Sequence, residues 1–241
     1  MSTPFFYEPA YGGGPDSFRL SDDTAHHVAT VLRMRIGESL FLTNGKGSRV
    51  LVTLESVDKK QAWVRAAQTA SVAPLQPAPV PLVVGVSLLK NNARFEWMLE
   101  KCTEIGATTI LPLLCARTER QHFRPDRMRQ LIVSAMLQSQ QVWLPEMPDP
   151  LPLLDVLGNP FEGRSYIAHC LPGPKQRLRH HPEQVPARIL IGPEGDFTPD
   201  EIAHAQDQGW MPVELGETRL RTETAAMVAA AILRDAMQSR H

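Results

Sequence analysis

Hydrophobic residues along this chain follow two different rhythms, and the change between them divides it. Up to about Gln68 the apolar runs are short: Ser39-Leu40-Phe41-Leu42-Thr43 and Val50-Leu51-Val52-Thr53-Leu54 flank the turn sequence Asn44-Gly45-Lys46-Gly47, which predicts a hairpin. Ala62-Trp63-Val64-Arg65-Ala66 predicts a further strand, and Asp23 to Leu32 a short helix ending in Arg33-Met34-Arg35-Ile36-Gly37. A small barrel or sandwich with one helix follows. From Leu82 to Leu89 the run is almost continuously apolar, as in a strand covered on both faces.

The alternation of strand and helix then continues. Phe95, Met98, Leu99, Cys102 and Ile105 have helical spacing, with Gly106 where a left-handed residue closes a helix. Thr108 to Cys115 reads as a buried strand. Pro125 opens a helix whose inner face is Met128, Leu131, Ile132, Ala135 and Met136, and Pro145-Glu146-Met147-Pro148-Asp149-Pro150 closes it with a loop. Arg164 to Cys170, Arg188 to Ile191 and Pro212 to Leu215 supply strands. Thr198-Pro199-Asp200-Glu201 is a capping box opening a helix that Gly209 ends, and Thr222 or Thr224 caps a last helix through Met237. Ala225, Ala226, Ala229, Ala230 and Ala231 keep that helix slim, for close backbone approach or for packing on a second subunit.

Four prolines in Ala73-Pro74-Leu75-Gln76-Pro77-Ala78-Pro79-Val80-Pro81 mark the junction, because proline denies a sheet its N–H donors. The expected domains are 1–70, a linker over 71–81, and an α/β domain over 82–241. With 241 residues and 43% hydrophobic content, the chain can bury a substantial core. Its formal charge of −1 leaves nucleic-acid binding to local patches: Arg117, Arg120, Arg124, Arg127 and Arg129 form one, and Lys175, Arg177, Arg179, His180 and His181 another. Either patch can equally be a solvated face. Cys102, Cys115 and Cys170 are unpaired in pattern, which argues against disulfides or zinc and for a reducing cytoplasm. No signal peptide and no membrane-spanning run is expected, and His26-His27 lacks companions for a metal. Ser139, Ser165 and the cysteines lack a nucleophile-elbow context.

Candidate chemistry gathers near the C-terminus. Leu190-Ile191-Gly192-Pro193-Glu194-Gly195 and Leu215-Gly216 through Leu220-Arg221-Thr222-Glu223-Thr224-Ala225 each read as strand, glycine turn and helix start, an arrangement that offers backbone N–H groups to a small polar ligand. The first turn matches neither phosphate-loop frame and carries a carboxylate, which disfavours triphosphates and dinucleotides and suits a ligand with hydrogen-bonding edges and positive charge. A plain capped loop is the alternative. Arg219 and Arg221 need anionic partners, either a ligand or a structural ion pair with Glu217 or Glu223.

These two motifs, with Phe197 and Glu201, resemble the signatures of the ribosomal RNA small subunit methyltransferase E family, of the SPOUT class. Lys90, Arg94, Glu96, Lys101, Glu104 and Gly106 are similar to another of its blocks, as is Gln138-Ser139 before Pro145. His26-His27 with Val31-Leu32-Arg33, and Asn44-Gly45-Lys46-Gly47, resemble its N-terminal RNA-binding domain. Gln140-Gln141 departs from the arginine that many members carry there.

The resemblance implies an α/β fold with a SPOUT-type parallel sheet and C-terminal trefoil knot, preceded by a PUA-like β-barrel. It implies a cytoplasmic homodimer that methylates N3 of a uridine in 16S rRNA within the small ribosomal subunit, using S-adenosylmethionine and no metal. On that reading Arg221 and Glu223 are catalytic, and Leu190, Ile191, Gly192, Pro193, Glu194, Gly195, Leu215, Gly216, Leu220, Arg221, Thr222, Thr224 and Ala225 enclose the cofactor. His26, His27, Arg33, Arg35, Lys90, Arg94 and Arg117 meet RNA. Two other activities share these features: a SPOUT enzyme acting on tRNA or a 2′-hydroxyl, and a non-catalytic RNA-binding assembly factor.

Overall fold

The computed structural model describes residues 3–14, 16–58, 61–66, 76–119 and 123–238. The expected domain end at 67–70, Ala73, Pro74 and Leu75 of the proline-rich segment, and Arg120 lie outside the described residues. Two compact units form, one from the chain up to Ala78 together with Met136–Leu144, the other from Pro79–Ala135 and Pro145 onward.

In the first unit, β1 (Phe5–Tyr7), β2 (Phe18–Arg19), β3 (Ser39–Thr43), β4 (Val50–Val57) and β5 (Ala62–Ala66) make a five-stranded sheet in the order β1-β3-β4-β5-β2. The predicted hairpin is β3–β4, antiparallel with Leu40 opposite Val52. Alternate residues point inward, so Leu40, Leu42, Val52, Leu54 and Val64 form the core with Leu20 and Val28. Asn44 organises the turn, its Oδ1 accepting from Lys46 N at 2.9 Å and Ser48 Oγ at 2.7 Å. β1, which has no pattern of its own, pairs in parallel with β3.

The helix expected over Asp23 to Leu32 is α1 (Asp22–His26) followed by a π-helical turn, His27–Val31, with Leu32 N donating to His27 O at 3.0 Å. The wider turn carries the chain into Arg33, whose φ of 52° is left-handed. Val31, Leu32 and Ile36 are consequently exposed large apolar residues.

The second unit holds β6 (Leu82–Ser87), α2 (Asn92–Ile105), β7 (Thr109–Leu114), α3 (Pro125–Gln138), β8 (Leu151–Pro152), α4 (Leu153–Leu157), β9 (Arg164–Ala168), β10 (Gln176–Arg177), β11 (Ala187–Ile191), α5 (Pro199–Asp207), β12 (Met211–Glu214) and α6 (Thr222–Met237). The last three residues of α3 belong to the first unit. The sheet is wholly parallel, in the order β10-β12-β9-β11-β6-β7-β8. All five residues of β11 are buried, including Arg188, whose guanidinium donates to Ser165 Oγ at 2.7 Å and Asn159 O at 2.8 Å. Gly106 closes α2 at φ 99°. Among the described residues no helix is long and apolar enough to cross a membrane.

One helix-end expectation changes. Arg221, not Thr222 or Thr224, is the N-cap of α6 and makes no side-chain capping bond, because Thr222 already has helical backbone. The alanines of α6 serve close approach within the chain: Ala226, Ala229 and Ala230 are fully buried in the core shared with α2 residues, and Ala231 is exposed.

Candidate active site

A parallel sheet collects loops at the C-terminal ends of its strands, and there ligands bind. Three neighbouring strands, β11, β9 and β12, end beside one another, and their following residues line a cavity of about 790 Å³. β12 lies on the far side of β9 from β11, so both glycine turns, separated in sequence by α5, face the same space.

The first turn is pinned by its neighbours. Gly192 lies against Phe197, where a β-carbon would come within 3.1 Å of the ring and of the backbone nitrogen. Asp196 N donates to Pro193 O at 2.9 Å, and Asp196 itself takes a left-handed φ of 64°. Its carboxylate accepts from Phe197 N at 2.8 Å and from Cys170 N, beyond β9, at 2.7 Å. Lys90 N donates to Glu194 at 3.3 Å, and Arg117 donates to Gly195 O at 2.6 Å. Beneath the turn the capping box forms as expected. Glu201, buried, accepts from Thr198 N at 2.8 Å and from Ala116 N, just past β7, at 2.7 Å.

The second turn runs from Leu215 into α6. With no side-chain cap, the first N–H groups of α6 lack protein acceptors of the usual capping kind, and Thr222 and Glu223 of that turn line the cavity. A helix start of this kind favours an anionic group. Glu223 is buried and pairs with Arg94 Nε at 3.6 Å. Among the described residues no ion pair joins Arg219 or Arg221 to Glu217 or Glu223. Arg221 stays exposed at the cavity, its guanidinium without a protein partner among the described residues.

Of the residues expected to hold the cofactor, Ile191, Gly192, Pro193, Glu194, Leu215, Gly216, Leu220, Arg221, Thr222 and Ala225 line this cavity, with Glu223. Leu190, Gly195 and Thr224 do not: Leu190 is buried in an apolar cluster with Phe197 and Ile202. Arg94, expected to meet RNA, lines the cavity. Lys90 and Arg117 are exposed beside it, while His26, His27, Arg33 and Arg35 are exposed in the first unit. Gln140, at the position that departs from the family arginine, accepts from Arg49 Nη2 at 3.0 Å, and that guanidinium lies over Phe5 and Phe41.

Sequence reasoning missed His169, Cys170 and Lys175, which line the cavity from the loop after β9. Only the strand order, invisible in sequence, brings them there. Burial foremost, then the Lys175 ammonium, presses the His169 imidazole below its usual value against the pull of Asp196. The Cys115 thiol near Glu201 is pushed up to about 12, chiefly by burial, and stays protonated.

Fold and pocket together define an α/β protein with a cavity of small-molecule size at the ends of β11, β9 and β12, joined to a small β unit. Residues 76–234 match the family described as RNA methyltransferase domain, and residues 20–66 the family described as RNA methyltransferase PUA domain. The ribosomal RNA small subunit methyltransferase E of Mycobacterium bovis is 32% identical, covering 86% of this chain and 82% of the relative. That of Synechocystis sp. is 30% identical over 89% of this chain and 71% of the relative. The structure of the Neisseria gonorrhoeae protein of the same description, bound to S-adenosyl methionine, is 26% identical with a TM-score of 0.86, each chain covered to 98%. The chain belongs to the ribosomal RNA small subunit methyltransferase E family.

Proposed function

We propose that this chain transfers a methyl group from S-adenosylmethionine to N3 of a uridine in 16S rRNA, acting as a cytoplasmic homodimer on the small ribosomal subunit. The observation that carries the reading is the pocket itself: two glycine turns and an uncapped helix start meet at the ends of β11, β9 and β12.

The residues fit that donor. The cavity volume of about 790 Å³ is within the range of small-molecule sites, and its wall offers backbone rather than a phosphate loop. Carboxylates of Glu194 and Glu223 stand where a cationic sulfonium is favoured, and the α6 N-terminus suits the carboxylate of an amino acid. When bound, S-adenosylmethionine supplies an electrophilic methyl group. N3 of uracil must lose its proton before it can attack, and the negative charge then spreads onto the flanking carbonyl oxygens. Arg221, unpaired at the cavity, stabilises that charge. Glu223, fixed by Arg94, takes the proton directly or through water. His26, His27, Arg33 and Arg35 hold RNA phosphates, a contact that positions without specifying sequence. The reading includes a C-terminal trefoil knot and the domains 1–70 and 82–241, less Met136–Leu144, which packs with the first unit.

The test uses small subunits from cells lacking the modification, treated with the protein and S-adenosylmethionine, then digested to nucleosides. The expected product is N3-methyluridine. Methylation of a ribose hydroxyl would assign a different acceptor atom, methylation of tRNA alone a different RNA, and donor binding without any methylated product would make the protein an assembly factor.

A further inference from the structure

Arg117 sits in the β7–α3 loop beside the basic cluster and is, by sequence, a candidate RNA contact. We propose instead that Arg117 is a positioning residue, which fixes the Gly192–Asp196 turn from behind so that its cavity-facing backbone is set before the donor arrives. The inference rests on the methyl-donor reading of the pocket.

Three observations carry it. Arg117 Nη1 donates to Gly195 O at 2.6 Å, a charge-assisted bond to a turn carbonyl that helix α5, starting only at Pro199, leaves without an acceptor role. The stem of the side chain lies flat on Gly195: a β-carbon there would meet Arg117 Cδ at 3.3 Å and Cβ at 3.7 Å. Neither Arg117 nor Gly195 lines the cavity, yet Glu194 and Asp196 on either side of Gly195 do. The contact therefore acts on the ligand only through the backbone.

The base from which Arg117 reaches is itself fixed. Ala116 N donates to buried Glu201 at 2.7 Å, Cys115 N donates to Thr118 Oγ1 at 2.8 Å, and that hydroxyl shares a 2.8 Å bond with Ser87 Oγ on β6. The backbone from which Arg117 grows is fixed beforehand, so holding the carbonyl costs the entropy of the side chain alone. The sheet thus braces its own ligand loop by way of β6 and β7, strands of which no described residue lines the cavity.

The test is the pair Arg117→Ala and Arg117→Lys in the full chain, with S-adenosylhomocysteine binding measured by calorimetry without RNA, RNA binding measured across a salt series, and amide exchange followed in the ligand-free protein. Arg117→Ala is expected to weaken S-adenosylhomocysteine about fivefold, the order of one charge-assisted hydrogen bond at an exposed site, and to raise KM for the donor with kcat unchanged. RNA affinity and its salt slope should stay as in the parent chain. Arg117→Lys should recover most of the loss, since one ammonium donor reaches the same carbonyl. Faster exchange at Gly195 to Phe197 in Arg117→Ala is expected even with no ligand present. Unchanged S-adenosylhomocysteine affinity, or a weaker and less salt-dependent RNA interaction, overturns the proposal in favour of an RNA contact. If the parent chain binds no S-adenosylhomocysteine, the donor reading fails by itself, and unchanged exchange at the turn then overturns the positioning role separately.

Discussion

Arg221 and Glu223 stand two positions apart at one helix start and meet opposite surroundings, the first exposed at the cavity, the second buried against Arg94. Their substitutions should separate accordingly. Arg221→Ala is expected to lower kcat by about 10²-fold, the scale of one lost oxyanion donor, while S-adenosylhomocysteine affinity stays within about threefold in calorimetry. Equal losses in both would remove Arg221 from the chemistry. Glu201→Ala removes the acceptor of two backbone N–H groups at once, Ala116 and Thr198, and should cost about 2 kcal/mol in urea unfolding. His181 gives a pH signature. Its Nε2 faces Val185 O at 2.8 Å and so carries the proton, which leaves Nδ1 to accept from Tyr166 OH at 2.8 Å. Burial holds its folded value below the ordinary 6.5, so the unfolded chain binds the proton more readily. Its contribution is complete above about pH 6.5 and declines as pH falls through and below that value. Urea titrations from pH 7.5 to 5 should show a decline that His181→Gln flattens; an identical slope in both chains would rule this histidine out.

At the scale of elements, the signals that could be read in the sequence are those with a local cause. The β3–β4 hairpin follows from Asn44-Gly45-Lys46-Gly47 between alternating runs, the start of α5 from Thr198 and Pro199, the end of α2 from Gly106. Both cavity turns were legible as well, since each joins an apolar strand to a helix start by way of glycine. What lay beyond reach has non-local causes. β1 gains its identity from pairing with β3, the π-helical turn at His27–Val31 from where the chain must go next, and the place of His169 and Lys175 from β9 lying between β11 and β12. α6 shows how a correct reading of composition leaves its use open. Its small residues are consumed inside the unit, so Ala229→Leu should overpack a fully buried position and cost about 1–3 kcal/mol, visible as a lower Tm. A neutral result would mean that α6 has room to spare.

At the scale of the whole molecule, the first unit is not continuous in sequence. Met136–Leu144 completes it: Gly47 N donates to Val142 O at 2.9 Å, Leu144 N donates to Gly45 O at 2.9 Å, and Lys46 bridges to Trp143. Gly47 has no β-carbon for a concrete reason, since one would fall 2.6 Å from the Trp143 ring. A fragment of residues 1–78 should therefore melt below the unit in the full chain, and a peptide of residues 136–144 added in trans should raise its Tm in a concentration-dependent way. A fragment indifferent to the peptide would show that the segment is merely adjacent. The same discontinuity orders events during synthesis. Translation delivers residues from the amino end, yet the first unit lacks its last piece until Pro79–Ala135 of the second has already left the ribosome, so the part begun first must wait, incomplete, beside a half-made neighbour.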